Sequence, residues 1–221
     1  MAAYGQTKLQ IINTVLTRMR ENTVATSSST TYANLVTSVL NSVKTQIESA
    51  WIWKALRDTY TVTVVPDITS YSLTSAGQLA RILDVWNVTS RREVAQGSYH
   101  SFNERFFAHD TVATGDVREY NIAGFDSNYD IQIDTWPNVT ATNSLRVNVY
   151  KVLPDPATDD TVIIVPNQPL IEGMVAYLMA ERGDDGGVAV ETQMNVYRDA
   201  VSGAIGAEAA HDPSEVDFFP R

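Results

Sequence analysis

A chain of 221 residues, 44% of them hydrophobic, is long and apolar enough to bury the core of one mixed domain or of a domain with an appendage. Its 16 Lys and Arg stand against 26 Asp and Glu, and the formal charge of -10 opposes a broad grip on nucleic-acid phosphates. With no cysteine, disulfides, thiolate metal sites and thiol nucleophiles are all excluded.

The first twenty residues carry isolated apolar side chains at helical spacing and no continuous apolar stretch, so they read as neither a secretory signal nor a membrane span. Leu9, Ile12, Leu16 and Met19, widened by Ile11 and Val15, predict an amphipathic helix from Thr7 to about Arg20. After the Ser/Thr-rich break from Thr26 to Thr31, Leu35, Val36, Val39, Leu40, Val43 and Ile47 continue the helical period. A second helix from Thr31 to Leu56 would be about 39 Å long at about 1.5 Å per residue. Thr37, Ser38, Ser42 and Thr45 give its outer face weak helix propensity, so packing must hold it. It ends in Trp51-Ile52-Trp53-Lys54-Ala55-Leu56. Trp51 and Trp53 are either a core plug or a subunit contact, where Trp is enriched among the residues that carry binding energy.

From Asp58 the period changes to two. Tyr60, Val62 and Val64 alternate with threonines, and Pro66-Asp67 then turns the chain toward Ser70 to Thr74, a hairpin signature. Further strands are predicted at Leu79 to Thr89, Val117 to Ala123, Asp130 to Trp136, Ser144 to Val152 and Thr161 to Val165. Leu145, Val147 and Val149 against Arg146, Asn148 and Tyr150 mark a sheet with one buried face. Between the strands, Phe102, Phe106 and Phe107 suit a helical turn or two. Pro169, Ile171, Met174, Val175 and Leu178 then predict a helix stopped by Gly183. Beyond the Asp184-Asp185-Gly186-Gly187 turn, Met194, Tyr197, Val201 and Ile205 form the apolar face of another, with Glu191, Arg198, Asp199 and Glu208 mostly opposite.

The expected fold class is therefore α+β: a bundle of about four helices from the two ends of the chain, with an inserted antiparallel β-sandwich or sheet. Residues 1–57 supply the first helices, 58–166 the β block, 167–210 the C-terminal helical hairpin and 211–221 an extended tail.

No reactive constellation accompanies this plan. His100, His109 and His211 lack metal-ligand spacing, and no phosphate loop, dinucleotide fingerprint or nucleophile elbow is present. Asp126, Asn128 and Asp130 resemble the start of a calcium loop, but Ile131 stands where glycine is needed and Pro137 where the closing carboxylate belongs. No enzyme activity, metal or cofactor is expected.

The layout resembles the head-to-tail adaptor proteins of tailed bacteriophages, the connector or gatekeeper ring components that include the tail tubular protein A type. The likeness rests on the Trp51-to-Leu56 end of the second helix, on Tyr71-Ser72-Leu73 followed by Ala80 to Val85, on Gly115 to Tyr120 and Ile131 to Pro137, and on Leu145 to Pro154. It spans about residues 6 to 210. Val117 and Ile52 stand where that family often has proline.

The resemblance implies a virion protein assembled in the bacterial host cytoplasm. It implies a homo-oligomeric ring of about twelve copies, bound to the portal protein above and to the next tail or nozzle protein below. Double-stranded DNA would pass through the lumen without specific binding, and no membrane is involved. The tail, with Val216, Asp217, Phe218, Phe219 and Arg221, would reach into the portal ring, as that family's C-terminal segment commonly does. A different reading takes the β block as a carbohydrate- or receptor-binding module, with Trp86, Tyr99 and Trp136 as its platform.

Overall fold

The computed structural model describes residues 5–107, 113–183 and 188–210. The chain divides into two compact units: a helical one built from Met1–Leu56 and Leu153–Arg221, and a β unit, Arg57–Val152.

In the helical unit, α1 spans Lys8–Arg18, and its start is set by a reciprocal cap. The Thr7 side chain accepts from the Gln10 amide while the Gln10 side chain accepts from that of Thr7, satisfying two amides that a helix start leaves without partners. Ile11, Ile12, Val15 and Leu16 are buried, each contributing about 1.5–3 kcal/mol.

The second helix, α2 (Thr31–Ala50), is capped by Thr30 and buries Ala33, Val36, Leu40, Val43 and Ile47. It is shorter than its apolar period predicts. Trp51 turns extended at φ -151°, and the Ile47 carbonyl, whose helical partner would be the residue 51 amide, accepts instead from the Trp53 indole at 2.7 Å. A short 3₁₀ turn over Lys54–Leu56 follows.

The helical hairpin consists of α4 (Asn167–Arg182) and α5 (Val188–Ala209). Gly183 closes α4 in the left-handed conformation at φ 62°, as the sequence predicts. Close packing centres on Gly173, where an added Cβ would lie 2.7 Å from Val43 and 2.8 Å from the Tyr197 ring. Glycine thus lets α2 and α5 approach α4 from two sides.

The β unit holds two four-stranded sheets. The first contains β1 (Arg57–Val64), β3 (Arg81–Asn87), β4 (Arg92–Glu93) and β8 (Asn143–Tyr150), in the order β1-β8-β3-β4. The second contains β2 (Ser70–Ser72), β5 (Ala95–Gln96), β6 (Glu119–Phe125) and β7 (Ile131–Trp136), in the order β2-β7-β6-β5. The short β5–β6 pairing is parallel, and the other pairings between these strands are antiparallel. Val62, Val64, Val85, Leu145 and Val147 from the first sheet and Tyr120, Ile131 and Ile133 from the second share one core. The remaining helix, α3 (Tyr99–Phe107), belongs to this unit.

Two strand expectations are corrected. β1 and β2 do not form a hairpin: β1 pairs with β8 over its whole length, Arg57 opposite Tyr150 through Val64 opposite Asn143, while β2 pairs with β7. The Pro66-Asp67 turn carries the chain from one sheet to the other. Its loop is closed by the Tyr71 hydroxyl, which accepts from the Val65 amide at 3.0 Å and donates to the Ile68 carbonyl at 2.7 Å. The second correction concerns Thr161 to Val165, which forms no strand of its own. It alternates, with Ile163 and Val165 buried and Val162 and Ile164 exposed, but finds only the lead-in to α1 through a Thr7–Val162 bridge.

Candidate interaction surfaces

Where α1, α4 and α5 meet, Glu172 accepts from Arg18 Nη1 and from Gln193 Nε2, both at 2.7 Å. Burial works to raise its pKa, and the bonds from Arg18 and Gln193 overturn that, holding the carboxyl below its ordinary value. On α2, Lys44 and Glu48 pair at 3.0 Å with side chains only 3% and 1% exposed. Lys44 also donates to the Leu153 carbonyl at 2.6 Å, and the Leu153 amide bonds the Glu48 carboxylate. The pair thus holds both polar groups at the point where the chain re-enters the helical unit. Desolvation nevertheless leaves the Glu48 carboxyl above its ordinary pKa. These polar groups are bonded to partners within the helical unit.

The tryptophans at the end of α2 part company. Trp53 is buried, and its indole donates to the Ile47 carbonyl. Trp51 is 39% exposed. Val216, Asp217, Phe218, Phe219 and Arg221 lie outside the described residues.

Two larger surfaces are less visible in the sequence. On α5, no residue is buried. Met194, Tyr197, Val201 and Ile205 are half-buried on the inner side, and Glu208 joins them by accepting from the Lys54 amide at 2.7 Å. The outer side presents Val188, Glu191, Val196 and Asp199. Beside Val196 and Asp199 runs a groove of about 570 Å³ floored by Ala200, Gly203, Ala204 and Ala207 and walled by Pro166 and Pro169.

The other surface is on the first sheet. Trp86 is 44% exposed beside Val88 and shares a shallow recess with Arg91 and Arg146. Trp86 and Arg146 are cross-strand partners. Neither arginine makes an ion pair among the described residues.

The model of a family described as SU10 adaptor protein matches residues 6–216. The chain belongs to the SU10 adaptor protein family. No curated protein matches it. This is a family of phage head-to-tail adaptors, structural rather than enzymatic, so an SU10 adaptor is a virion component.

The remaining sequence candidates have structural work in this SU10 adaptor. Asp126 accepts from the Asn128 and Asp130 amides and bonds the Ser72 hydroxyl, while Asp130 accepts from the Ser75 and Gly77 amides at 2.8 and 2.9 Å. The bond to Ser72, with help from the amides, holds Asp126 below the usual carboxylate range. Among the described residues no group of three His, Asp or Glu is placed to hold a metal ion. Nor is any described helix long and apolar enough to cross a membrane.

The three aromatics of the carbohydrate reading form no common platform. Val85 and Ile133 face the shared core, so Trp86 points away from it on the first sheet and Trp136 away from it on the second. Trp136 is moreover covered by the Arg105 guanidinium, 4.3 Å from its ring centroid and itself paired with Glu119. Tyr99 is exposed on α3.

Proposed function

We propose that this SU10 adaptor assembles as a ring of about twelve copies that joins the portal protein to the next tail component and extends the DNA channel. The observation that carries this reading is the family match across residues 6–216. The charge supports free passage of DNA: twelve copies at -10 total about -120, and an acidic lumen repels phosphates so that the duplex slides without sticking.

The proposed portal contact is the tail, with Val216, Asp217, Phe218, Phe219 and Arg221. Burying Val216, Phe218 and Phe219 contributes about 1.5–3 kcal/mol each, while ordering each residue costs about 1–2 kcal/mol in backbone freedom. One tail alone binds weakly. Copies repeated around a ring bind together because each raises the effective concentration of the next. Trp51 is the proposed subunit contact at the end of α2.

Deleting Ser214 to Arg221 tests the assignment. The expected result is loss of attachment to emptied capsids with unchanged helix content, and attachment at the wild-type level would reject the role of the tail.

A further inference from the structure

We propose that, before assembly, the C-terminal tail adds residues 215–219 as an antiparallel strand to the open edge of residues 161–165 in the same chain. The inference rests on the portal reading only for what the tail does next; it gives that segment a place on the free protein.

Residues 161–165 are paired along one edge and open along the other. The Lys8 amide donates to the Thr161 carbonyl at 2.9 Å, and the Ile163 amide donates to the Gln6 carbonyl at 3.0 Å. Backbone groups of successive strand residues point to opposite edges, so those of Val162 and Ile164 point away from this pairing. They bond no described residue. Ile163 and Val165 are buried and anchor the segment, whereas Val162 and Ile164 are each 51% exposed. An extended segment with an open edge and β-branched side chains in water is a template for a further strand.

The tail matches that edge in position, reach and pattern. The last turns of α5 and the lead into α4 line one groove, with Ala204 and Ala207 on one side and Pro166 on the other. Ile164 lies two residues before Pro166, about 7 Å along an extended chain. Residues 211–216 span about 20 Å when extended, enough to cross the spacing of about 10 Å between packed elements and arrive beside Ile164. A chain that enters at that end runs antiparallel. Pro213 and Pro220 cannot donate to a ladder, and the residues between them that would pair, Glu215-Val216-Asp217-Phe218-Phe219, contain neither proline nor glycine. Val216 then stands opposite Ile164 and Phe218 opposite Val162, cross-strand pairs of the β-branched and aromatic types that stabilise sheets.

Tethering favours this occupant over a second copy. A segment held on a short linker has an effective concentration on the order of millimolar, whereas two copies at -10 each repel. The edge releases the tail where the repeated contacts of a portal ring outweigh the single pairing.

The natural chain has no cysteine, so Asp160→Cys with Pro220→Cys places two thiols just beyond the proposed ladder. Dilute full-length protein treated with a short bismaleimide should give an internally linked single chain that runs ahead of the unlinked one on denaturing gels. A linked dimer would assign the edge to a second copy and overturn the proposal. Ile164→Pro removes an open-edge donor but no bond of the Gln6 pairing. Added to the cysteine pair, it should abolish the linkage with an unchanged melting temperature; linkage that persists would overturn the pairing. Removing residues 211–221 from the natural chain needs no core substitution, and should speed amide exchange at Val162 and Ile164 at least about tenfold. Equal exchange in the two chains would overturn the pairing and leave the portal reading intact. Conversely, capsid attachment at the wild-type level without residues 214–221 would sink the portal reading, while the internal link and the exchange difference would still establish the pairing.

Discussion

Replacing Lys44 by Met keeps most of the aliphatic stem but removes the cation from a site where its partner, Glu48, has a side chain only 1% exposed. The carboxylate is then buried without the Lys44 cation, and the Leu153 carbonyl loses the donor now 2.6 Å away. Breaking one side of such a buried pair costs about 3–5 kcal/mol. The double variant Lys44→Met/Glu48→Leu should cost less than Lys44→Met alone, because the buried carboxylate is removed with its cation and half-buried Leu153 can reach water. Burial already raises the Glu48 pKa, so this group favours the folded state below its unfolded pKa and loses that contribution as pH rises through the folded value. Without Lys44 the pKa climbs further, and the deficit of the Met variant should shrink between about pH 8 and about pH 5 as Glu48 takes up a proton. Urea unfolding followed by helix ellipticity at both pH values measures all three effects. A Lys44→Met loss below about 1 kcal/mol, or one that grows on acidification, would refute the reasoning.

Gly173→Ala gains helix propensity of about 1 kcal/mol but drives a methyl into Val43 and Tyr197, with overpacking worth about 1–3 kcal/mol. The expected net is a lower melting temperature, and a stabilised variant would show that α2 and α5 can yield. Glu172 has a lowered folded pKa, so its contribution is present above the unfolded value of about 4.3 and disappears as pH falls through the folded one. Glu172→Gln should therefore flatten the acid limb of the stability profile; an unchanged limb counts against the Arg18–Glu172–Gln193 network. Asp130→Ala strips an acceptor from the Ser75 and Gly77 amides and should cost about 1–3 kcal/mol by thermal melting. Added calcium should leave both proteins unmoved, and a calcium-dependent rise of the wild type would restore the metal reading of that loop.

The helices were legible because their signals are local. Thr7 and Gln10 cap α1, Gly183 stops α4, and apolar residues at three and four apart mark the packed faces. What escaped the sequence depended on partners far along the chain. The end of α2 is set by the Trp53 indole reaching back to Ile47, so an apolar period that continues to Leu56 overshoots. Pro66-Asp67 has the chemistry of a turn whether the flanking strands pair with each other or, as here, with β8 and β7. Thr161 to Val165 alternates like a strand but lacks a sheet to join. The same limit applies to surfaces. Trp86 and Trp136 look alike in a strand pattern, and only the two-sheet packing puts them on opposite faces. The outer side of α5 hid among small residues and acids, whose exposure follows from how α4 covers the other side.

The most direct test of the central claim is cryo-electron microscopy of the neck of the intact phage particle. The account predicts a closed ring of this chain, one helical unit and one β unit per copy, between the portal and the first tail component, with DNA or its channel on the axis. A portal-to-tail junction fully explained by other chains, with this one elsewhere or in a single copy, would contradict it.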